Sequence, residues 1–348
     1  RDCLLSRGLG DVYKRQVLDS VTIARSRKHI EKYYNASEIG KFPERLPPIS
    51  KRPCLTDLES AINYNEIYAQ LMLLNLCIYT PSNYIFPSKM QKYMELTHNK
   101  GDNLTQSGRE QGIRRLMSIN LLKRLESSVH SFQLTLTRIK GLIDSTIDDI
   151  NRFEQYGAAD ITMYEAQESE FDMDDGNTDY FSVGKKVKID LADMDYKTWR
   201  TELKQDAEVL ELLTLMVADI TPEHDSKLQE LLALLSQKIE NPINPGNKKV
   251  LVFSAFSDTA EYLYDNMSAF VKKKYGLNTA VITGSIDGKT TISGFKATLN
   301  NVLTCFSPKS KGRDVLMPNS KVDIDILIAT DCICLLYTSP SPRDKRQS

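Results

Sequence analysis

Apolar residues recur at the spacing of an α-helix through much of the first 240 positions. Between Asp57 and Tyr79 they follow one another at steps of three to five residues, at Ile62, Ile67, Leu71, Leu74 and Ile78. Such steps place side chains on one face of a helix, where they can be buried together. The pattern predicts a helix here, and similar patterns predict helices over 17–34, Lys204–Ala218 and Asp225–Ile239.

The most regular pattern lies between Gly108 and Gln155. Apolar residues there alternate steps of three and four, at Leu122, Leu125, Val129, Phe132, Leu136, Ile139 and Ile143. A heptad seam of this length predicts one long helix that packs along another helix. Basic residues decorate the same stretch, namely Arg114, Arg115, Lys123, Arg124, Arg138 and Lys140. We interpret them as a solvated basic face, and contact with nucleic acid is the alternative interpretation.

Residues 154–180 are acidic and poor in aliphatic side chains. Asp172, Asp174 and Asp175 suggest a calcium-binding loop. Gly176, however, does not follow a third acidic ligand at the spacing that such a loop requires. We therefore predict a mobile surface loop without a metal ion.

The pattern changes after a break at 241–247 that is rich in Pro, Gly and Asn. Three short apolar runs follow, at Lys249–Phe253, Thr279–Ile282 and Ile324–Ala329. Helical patterns separate these runs. Apolar strands without polar alternation, separated by helices, predict a parallel sheet that is covered on both faces. The expected fold is an α/β lobe joined to an all-α region.

Composition places the chain among soluble globular proteins. Apolar residues make up 41% and charged residues 26% of its 348 positions, which leaves room for roughly two domains with their own cores. No apolar run reaches the roughly 20 residues that span a bilayer, so we expect no membrane partner. The formal net charge of −1 shows no basic excess, although a basic groove can lie within a neutral total.

The cysteines are scattered through the chain. They form no Cys-x-x-Cys pair, and no histidine lies near Cys332 and Cys334. This usage favours reduced thiols in a cytoplasmic protein over a zinc site or a disulfide framework.

Hydroxyl and glycine residues follow the three predicted strands. In an open parallel sheet, ligands bind at the carboxyl ends of the strands, where loops and helix N-termini converge. The residues at these ends are Ser254, then Thr283, Gly284 and Ser285, then Thr330 and Asp331. Side-chain O–H and backbone N–H groups at such positions can contact a phosphate. The sequence therefore predicts a phosphate-facing edge.

The segment Gly284–Thr291 (GSIDGKTT) is similar to a phosphate-binding P-loop, as found in small-molecule nucleotide enzymes. A P-loop has four residues between its glycines, whereas three separate Gly284 from Gly288. No acidic strand that could bind Mg²⁺ is recognisable downstream. A P-loop enzyme is kept as the second alternative.

Several segments resemble SNF2-type members of helicase superfamily 2, in the order that the family has them. KKVLVFSAFSDTAEYLYDNM (248–267) resembles motif IV of the second RecA-like lobe, and HDSKLQELLALLSQKI (224–239) the lysine-bearing helix before it. VITGSIDGKTT (281–291) resembles the following strand and turn, and DILIATDCI (325–333) the opening of motif V. VTIARSRKHI and FPERLPPISKRPCLT, within 21–56, resemble the end of the first lobe and the crossover between lobes.

This resemblance implies a motor with two RecA-like lobes that binds ATP and Mg²⁺ in the cleft between them. It implies that Asp331 couples this cleft to a nucleic-acid track. It also implies that the track grips the sugar-phosphate backbone without reading sequence, through Ser254, Thr283, Gly284, Ser285 and Thr330. The expected partners are nucleic acid, above all double-stranded DNA, and a protein that binds the helical insertion.

The sequence departs from the family pattern in several respects. The first lobe is represented by its last helix alone, so its P-loop is missing, and motif V stops at Ile333, before the motif with the arginine fingers. Since phosphoryl transfer relies on those parts, we expect the chain by itself to bind no cofactor and to hydrolyse no ATP. Residues 1–16 and 334–348 resemble translated adapter sequences, and we expect them to be non-native.

These interpretations divide the chain into the end of the first lobe with the crossover (17–56), a helical region (57–240) and part of a helicase C-terminal lobe (241–333). The expected fold class is α/β plus all-α: a partial RecA-like parallel sheet lobe with a large helical insertion that contains the long heptad helix. The first alternative function is a non-catalytic helical scaffold that binds a partner protein through the heptad seam.

Overall fold

A computed structural model describes residues 46–58, 63–97, 106–157, 160–162, 188–284 and 288–330. Of these, the residues within 51–242 and 248–330 belong to one compact unit, and 46–50 and 243–247 belong to another. The predicted helix over 17–34 and the two chain ends lie outside the described residues. All elements below are in the first of these units.

The described part of 57–240 is mostly helical. Its α-helices are α1 (Tyr64–Leu71), α2 (Met90–Thr97), α3 (Gln106–Ser127), α4 (Val129–Tyr156), α5 (Tyr196–Met216) and α6 (Ser226–Glu240). A short strand β1 (Asp160–Thr162) pairs antiparallel with β2 (Lys188–Asp190). β1 corrects the prediction of a loop throughout 154–180, and the rest of that stretch beyond Gly157 lies outside the described residues.

The core of the helical region lies between α4 and α5, which pack along each other. Phe132, Leu136 and Ile143 of the apolar seam are fully buried there, together with Trp199 of α5. The Trp199 indole N–H donates a hydrogen bond of 3.1 Å to the carbonyl oxygen of Cys77, so the buried indole keeps a polar partner.

Two helices replace the single helix that was predicted over 108–155. α3 ends at Ser127, and Ser128 is extended, with φ of −158°. The Ser128 hydroxyl accepts a hydrogen bond of 3.0 Å from the backbone N–H of Ser131, which caps the start of α4. The apolar seam continues across this break, which is why the periodicity predicted an unbroken helix.

α1 covers only the middle of the helix predicted over Asp57–Tyr79. Beyond it, Leu76 takes a left-handed conformation with φ of 51°. The buried Asp206 carboxylate on α5 holds this turn, since it accepts hydrogen bonds from the backbone N–H groups of Asn75 at 2.7 Å and Cys77 at 2.9 Å. These long-range bonds decide the local conformation against the helical pattern.

The C-terminal part contains a four-stranded sheet. Its strands are β3 (Val250–Phe253), β4 (Thr279–Ile282), β5 (Lys289–Thr290) and β6 (Ile326–Ala329). They lie in the order β3-β6-β4-β5, with β3, β6 and β4 parallel and β5 antiparallel to β4. The helices of this part are α7 (Ser257–Tyr275), α8 (Leu299–Phe306) and α9 (Arg313–Leu316). The described chain is thus a mixed α/β protein, with a mixed sheet where a parallel one was predicted.

The two faces of the sheet are covered unequally. α6 and α7 cover one face, where Val250 and Val252 of β3 pack. α8 covers β4 and β6 on the other face, but it leaves Leu251 and Phe253 of β3 with 37% and 46% exposure. This corrects the prediction that both faces are covered throughout. None of the described helices combines the length and the apolar character that a bilayer crossing requires.

Candidate nucleic-acid interface

The carboxyl ends of the three parallel strands lie side by side. Phe253 of β3 and Ile282 of β4 are both register partners of Ala329 in β6. The residues that follow these strand ends therefore lie along one edge of the sheet, which we name the carboxyl edge: Ser254, Thr283 with Gly284, and Thr330. The sequence predicts this arrangement from the three apolar runs, and contact of these residues with nucleic acid stays a prediction.

The hydroxyl of Ser254 closes the turn that follows β3. It donates a hydrogen bond of 3.0 Å to the carbonyl oxygen of Phe256 and accepts one of 3.2 Å from the Phe256 N–H. Ser254 is 9% exposed. This hydroxyl therefore shapes the loop, and a phosphate would have to compete for it.

Thr283 presents a different situation at the end of β4. Its hydroxyl is buried and has no hydrogen-bond partner among the described residues. The next residue, Gly284, is exposed. Thr330 is fully buried below the edge, so its side chain does not reach the surface. Ser285 and Asp331, which were also predicted to act here, lie outside the described residues.

A groove of about 700 Å³ opens beside the end of β3. It is lined by α6, the end of α3, the end of β3 with the loop after it, the start of α7, and residues Lys51 and Pro53. The charged side chains that line it are Lys51, Lys123, Lys227, Glu126, Asp225 and Glu230. Lysines at this position could attract a phosphate chain towards Ser254, although acidic groups share the groove with them.

Two of these lysines already have partners. Lys51 forms an ion pair with Glu230. The Lys227 ammonium group donates a hydrogen bond to the carbonyl oxygen of Glu126, and burial lowers its pKa, against the attraction of Asp225 and Glu126. With three lysines and three acids among its lining side chains, the groove has no formal excess of positive charge.

The end of α3 and the start of α4 dock on the first turn of α7, through a buried charge. The Arg124 guanidinium group is 2% exposed and donates a hydrogen bond of 2.8 Å to the carboxylate of Asp258. Arg138 binds both oxygens of the same carboxylate, at 3.0 and 3.2 Å. The prediction of a solvated basic face is therefore wrong for Arg124, which is buried. Arg138 is exposed, as predicted, although it also binds this acid, 120 residues further along the chain.

Hydroxyl and aromatic contacts extend this docking surface. The hydroxyls of Ser127 and Ser128 lie 2.9 and 3.0 Å from that of Thr259. The ring of His130 stacks on Tyr262 at 4.9 Å between centroids. The Tyr262 hydroxyl donates to the Asp225 carboxylate at 3.0 Å, and burial together with this acid raises the pKa of Tyr262. Side chains of α3, α4 and the start of α6 are thus tied to α7.

The second alternative function, a P-loop enzyme, requires a loop geometry that the described residues do not have. In a P-loop, the lysine and the hydroxyl residue after the second glycine begin a helix. Lys289 and Thr290 instead form strand β5, and the Lys289 ammonium group binds the Glu261 carboxylate at 3.0 Å. A Cβ atom at Gly288 would come within 2.2 Å of the Ala297 carbonyl oxygen, which accounts for the glycine in structural terms.

The first alternative function requires a partner protein to bind the heptad seam, but most of this seam is buried. Val129, Phe132, Leu136, Ile139 and Ile143 are all buried in the core of the helical region. A partner protein could reach them only if the α4–α5 packing opened.

The described residues contain no group of three or more His, Cys, Asp or Glu side chains that could hold a metal ion. Comparisons of the chain with protein-family models, with curated proteins and with solved structures find no match. The geometry of the carboxyl edge is therefore the main support for a function.

Proposed function

We propose that this chain is part of a nucleic-acid-dependent ATPase of the SNF2 type, and that its carboxyl edge contacts the phosphate backbone of double-stranded DNA. The observation that carries the proposal is the common edge at which three parallel strands end in register. Open α/β sheets bind ligands at this end, where loops and helix N-termini converge. In this proposal, the sheet is part of a RecA-like lobe and α1–α5 belong to its helical insertion.

The chemistry of the edge suits a phosphate ligand. The Thr283 hydroxyl is buried and has no hydrogen-bond partner among the described residues, so a phosphate oxygen that entered the edge at this point would satisfy it. Gly284 leaves room for a close approach of the backbone, because it has no side chain. Contacts of this kind position a duplex without reading its bases, so we expect binding that is independent of sequence.

ATP and Mg²⁺ belong to the longer protein that the resemblance implies. The described residues do not fit a nucleotide site of the P-loop kind, since Lys289 lies in a strand and is bound to Glu261. The proposal also places the protein in the cytoplasm, in keeping with the free thiols of Cys54, Cys77 and Cys305.

Thr283→Val tests the proposed phosphate contact. Its hydroxyl has no partner among the described residues, so its removal should leave the fold as stable as before or slightly more stable. If the hydroxyl binds a phosphate, the affinity for a DNA duplex should fall roughly tenfold, as expected for a hydrogen bond to a charged group. Fluorescence anisotropy with a labelled duplex at about 50 mM salt measures this change.

Thr201→Val is the matched control, because Thr201 lies on the exposed surface of α5 and its hydroxyl donates only to the Lys197 carbonyl oxygen, at 3.0 Å. This variant should bind DNA as the native chain does. Native affinity should fall steeply between about 50 and 200 mM salt. Equal affinities of Thr283→Val and native chain, or tight binding to one sequence at about 200 mM salt, would contradict the proposal.

A further inference from the structure

We infer that Arg124, Arg138 and Asp258 form a clamp through which the helical region positions the loop after β3, and with it the carboxyl edge. We name these three residues the arginine clamp. The contacts of these residues support the clamp itself, and its consequence for DNA binding rests on the proposed function. Arg124 and Arg138 act through the loop, as positioning residues.

The clamp holds the far end of the loop that begins with Ser254. This loop connects β3 to α7, and Asp258 lies in the first turn of α7. The Arg124 guanidinium group also lies 4.5 Å from the ring centroid of Phe256, a residue that is 2% exposed. One side chain of α3 therefore contacts the loop at Phe256 and the helix at Asp258, which leaves the loop little freedom to move.

The start of α7 depends on this support. Its N-cap residue, Phe256, makes no side-chain hydrogen bond to the helix. The positive end of the helix dipole stabilises a carboxylate in the first turn. The Asp258 carboxylate is also held by two guanidinium groups from outside α7. Since Arg124 is buried, loss of the carboxylate would leave an uncompensated charge, so this contact is expected to stay formed.

The break between α3 and α4 is what allows the clamp to form. Arg124 and Arg138 are 14 residues apart, one on each side of Ser128. In one straight helix they would be separated by about 21 Å along the axis, too far to bind a single carboxylate. The extended conformation of Ser128 brings them together, and the hydroxyls of Ser127 and Ser128 contact Thr259 beside them. The break at Ser128 thus allows the helical region to hold the loop that follows β3.

Arg138→Gln is the variant that tests the clamp. Arg138 is the outer partner, with a side-chain exposure of 41%, so its loss leaves Asp258 paired with Arg124 and should leave the fold intact. We expect the backbone amides of 254–261 to exchange with solvent about tenfold faster, as two hydrogen bonds to a charged group are lost. Hydrogen exchange measured by mass spectrometry reports this segment separately from the rest of the chain.

Two further variants make the readout specific. Arg152→Gln removes an exposed arginine of the same helix, whose partner Asp149 is also on α4, and it should leave exchange in 254–261 unchanged. Arg138→Lys keeps the charge but loses the two-pronged contact, and it should exchange at an intermediate rate. A merely general loss of stability would speed exchange throughout the chain, not in this segment alone.

The DNA arm of the experiment separates the two proposals. Anisotropy with the labelled duplex should show affinity reduced several-fold in Arg138→Gln and unchanged in Arg152→Gln. Unchanged exchange in 254–261 would overturn the clamp whatever happens to DNA binding. Faster exchange with unchanged affinity would overturn its effect on the carboxyl edge. If the native chain fails to bind DNA, the proposed function fails, and the exchange data still decide whether the clamp holds the loop.

Discussion

The helical region and the sheet differ in how far each is closed. In the helical region, the buried carboxylates of Glu110 and Asp206 each accept two hydrogen bonds from the chain around Cys77 and Ser82. In the sheet and in α7, which covers it, the hydroxyls of Thr279 and Thr283 and one oxygen of Glu261 are buried without partners among the described residues. The helical region has its own example in the side-chain oxygen of Asn120.

Two phenylalanines differ in exposure between the regions, and the helical region also exposes apolar side chains on its surface, such as Met72 and Leu215. Phe132 in the first turn of α4 is fully buried, whereas Phe253 at the end of β3 is 46% exposed. At these two positions, the core between α4 and α5 is closed, whereas one face of β3 is open. A ligand or a further element would gain most by binding where the sheet is open.

The largest expected effect separates the two phenylalanines. Phe132→Ala should lower the free energy of unfolding by about 3–5 kcal/mol, because it leaves a cavity in a closed core. Phe253→Ala should cost less than about 1 kcal/mol, since much of that side chain is already in water. Urea denaturation of both variants measures the difference. Equal losses would show that β3 is covered in solution and would remove the comparison.

The next effect concerns two glycines. Gly288→Ala should destabilise the protein by about 1–3 kcal/mol, because the new Cβ atom would meet the Ala297 carbonyl oxygen at 2.2 Å. Gly141→Ala is the matched control: nothing lies within 4 Å of its Cβ position in α4, so it should stabilise by about 1 kcal/mol. Calorimetric unfolding measures whether each variant is more or less stable than the native chain. A neutral Gly288→Ala would mean that the β4–β5 turn is free to shift.

The smallest effect is a pH dependence in the helical region. Hydrogen bonds from Lys92 at 2.7 Å and Tyr93 at 2.8 Å, with Lys89 nearby, hold the pKa of Asp193 at about 2. This pKa is below that of an aspartate in the unfolded chain, so the stabilisation is present above about pH 4 and is lost as the pH falls towards 2.

Asp193→Asn should therefore lower the free energy of unfolding by about 1 kcal/mol at pH 7, since the lysines are half in water. At pH 2 the variant and the native chain should be nearly equal. Denaturant titrations at the two pH values check this. A difference that persists at pH 2 would show that Asp193 acts through packing instead of charge.

The sequence predicted the three parallel strands and the place of the carboxyl edge from short apolar runs, since parallel strands in one sheet end on the same side. It did not predict β5, which has no apolar run. It could not distinguish the covered from the open face of β3, because Val250, Leu251, Val252 and Phe253 are all apolar. The two faces differ only in what packs on them, and α8 does not extend to β3.

Two features of the helical region could not be predicted from the sequence, for related reasons. The seam continues through Ser128, so the period of the apolar residues does not show that a serine caps a new helix there. The charge of Arg124 predicts a solvated side chain, and its burial follows from Asp258, 134 residues further along the chain. Neither a capping interaction nor an ion pair across the fold leaves a periodic signal.

The open side of β3 has a consequence for the behaviour of the protein at high concentration. The backbone N–H groups of Val250 and Ser254 bond to the β6 side, which leaves those of Leu251 and Phe253 directed away from the sheet. An uncharged strand that lies at the edge of the described sheet and exposes apolar side chains is a template for strands of other molecules. A lysine at Leu251 would place a charge on this template and should keep concentrated samples monodisperse.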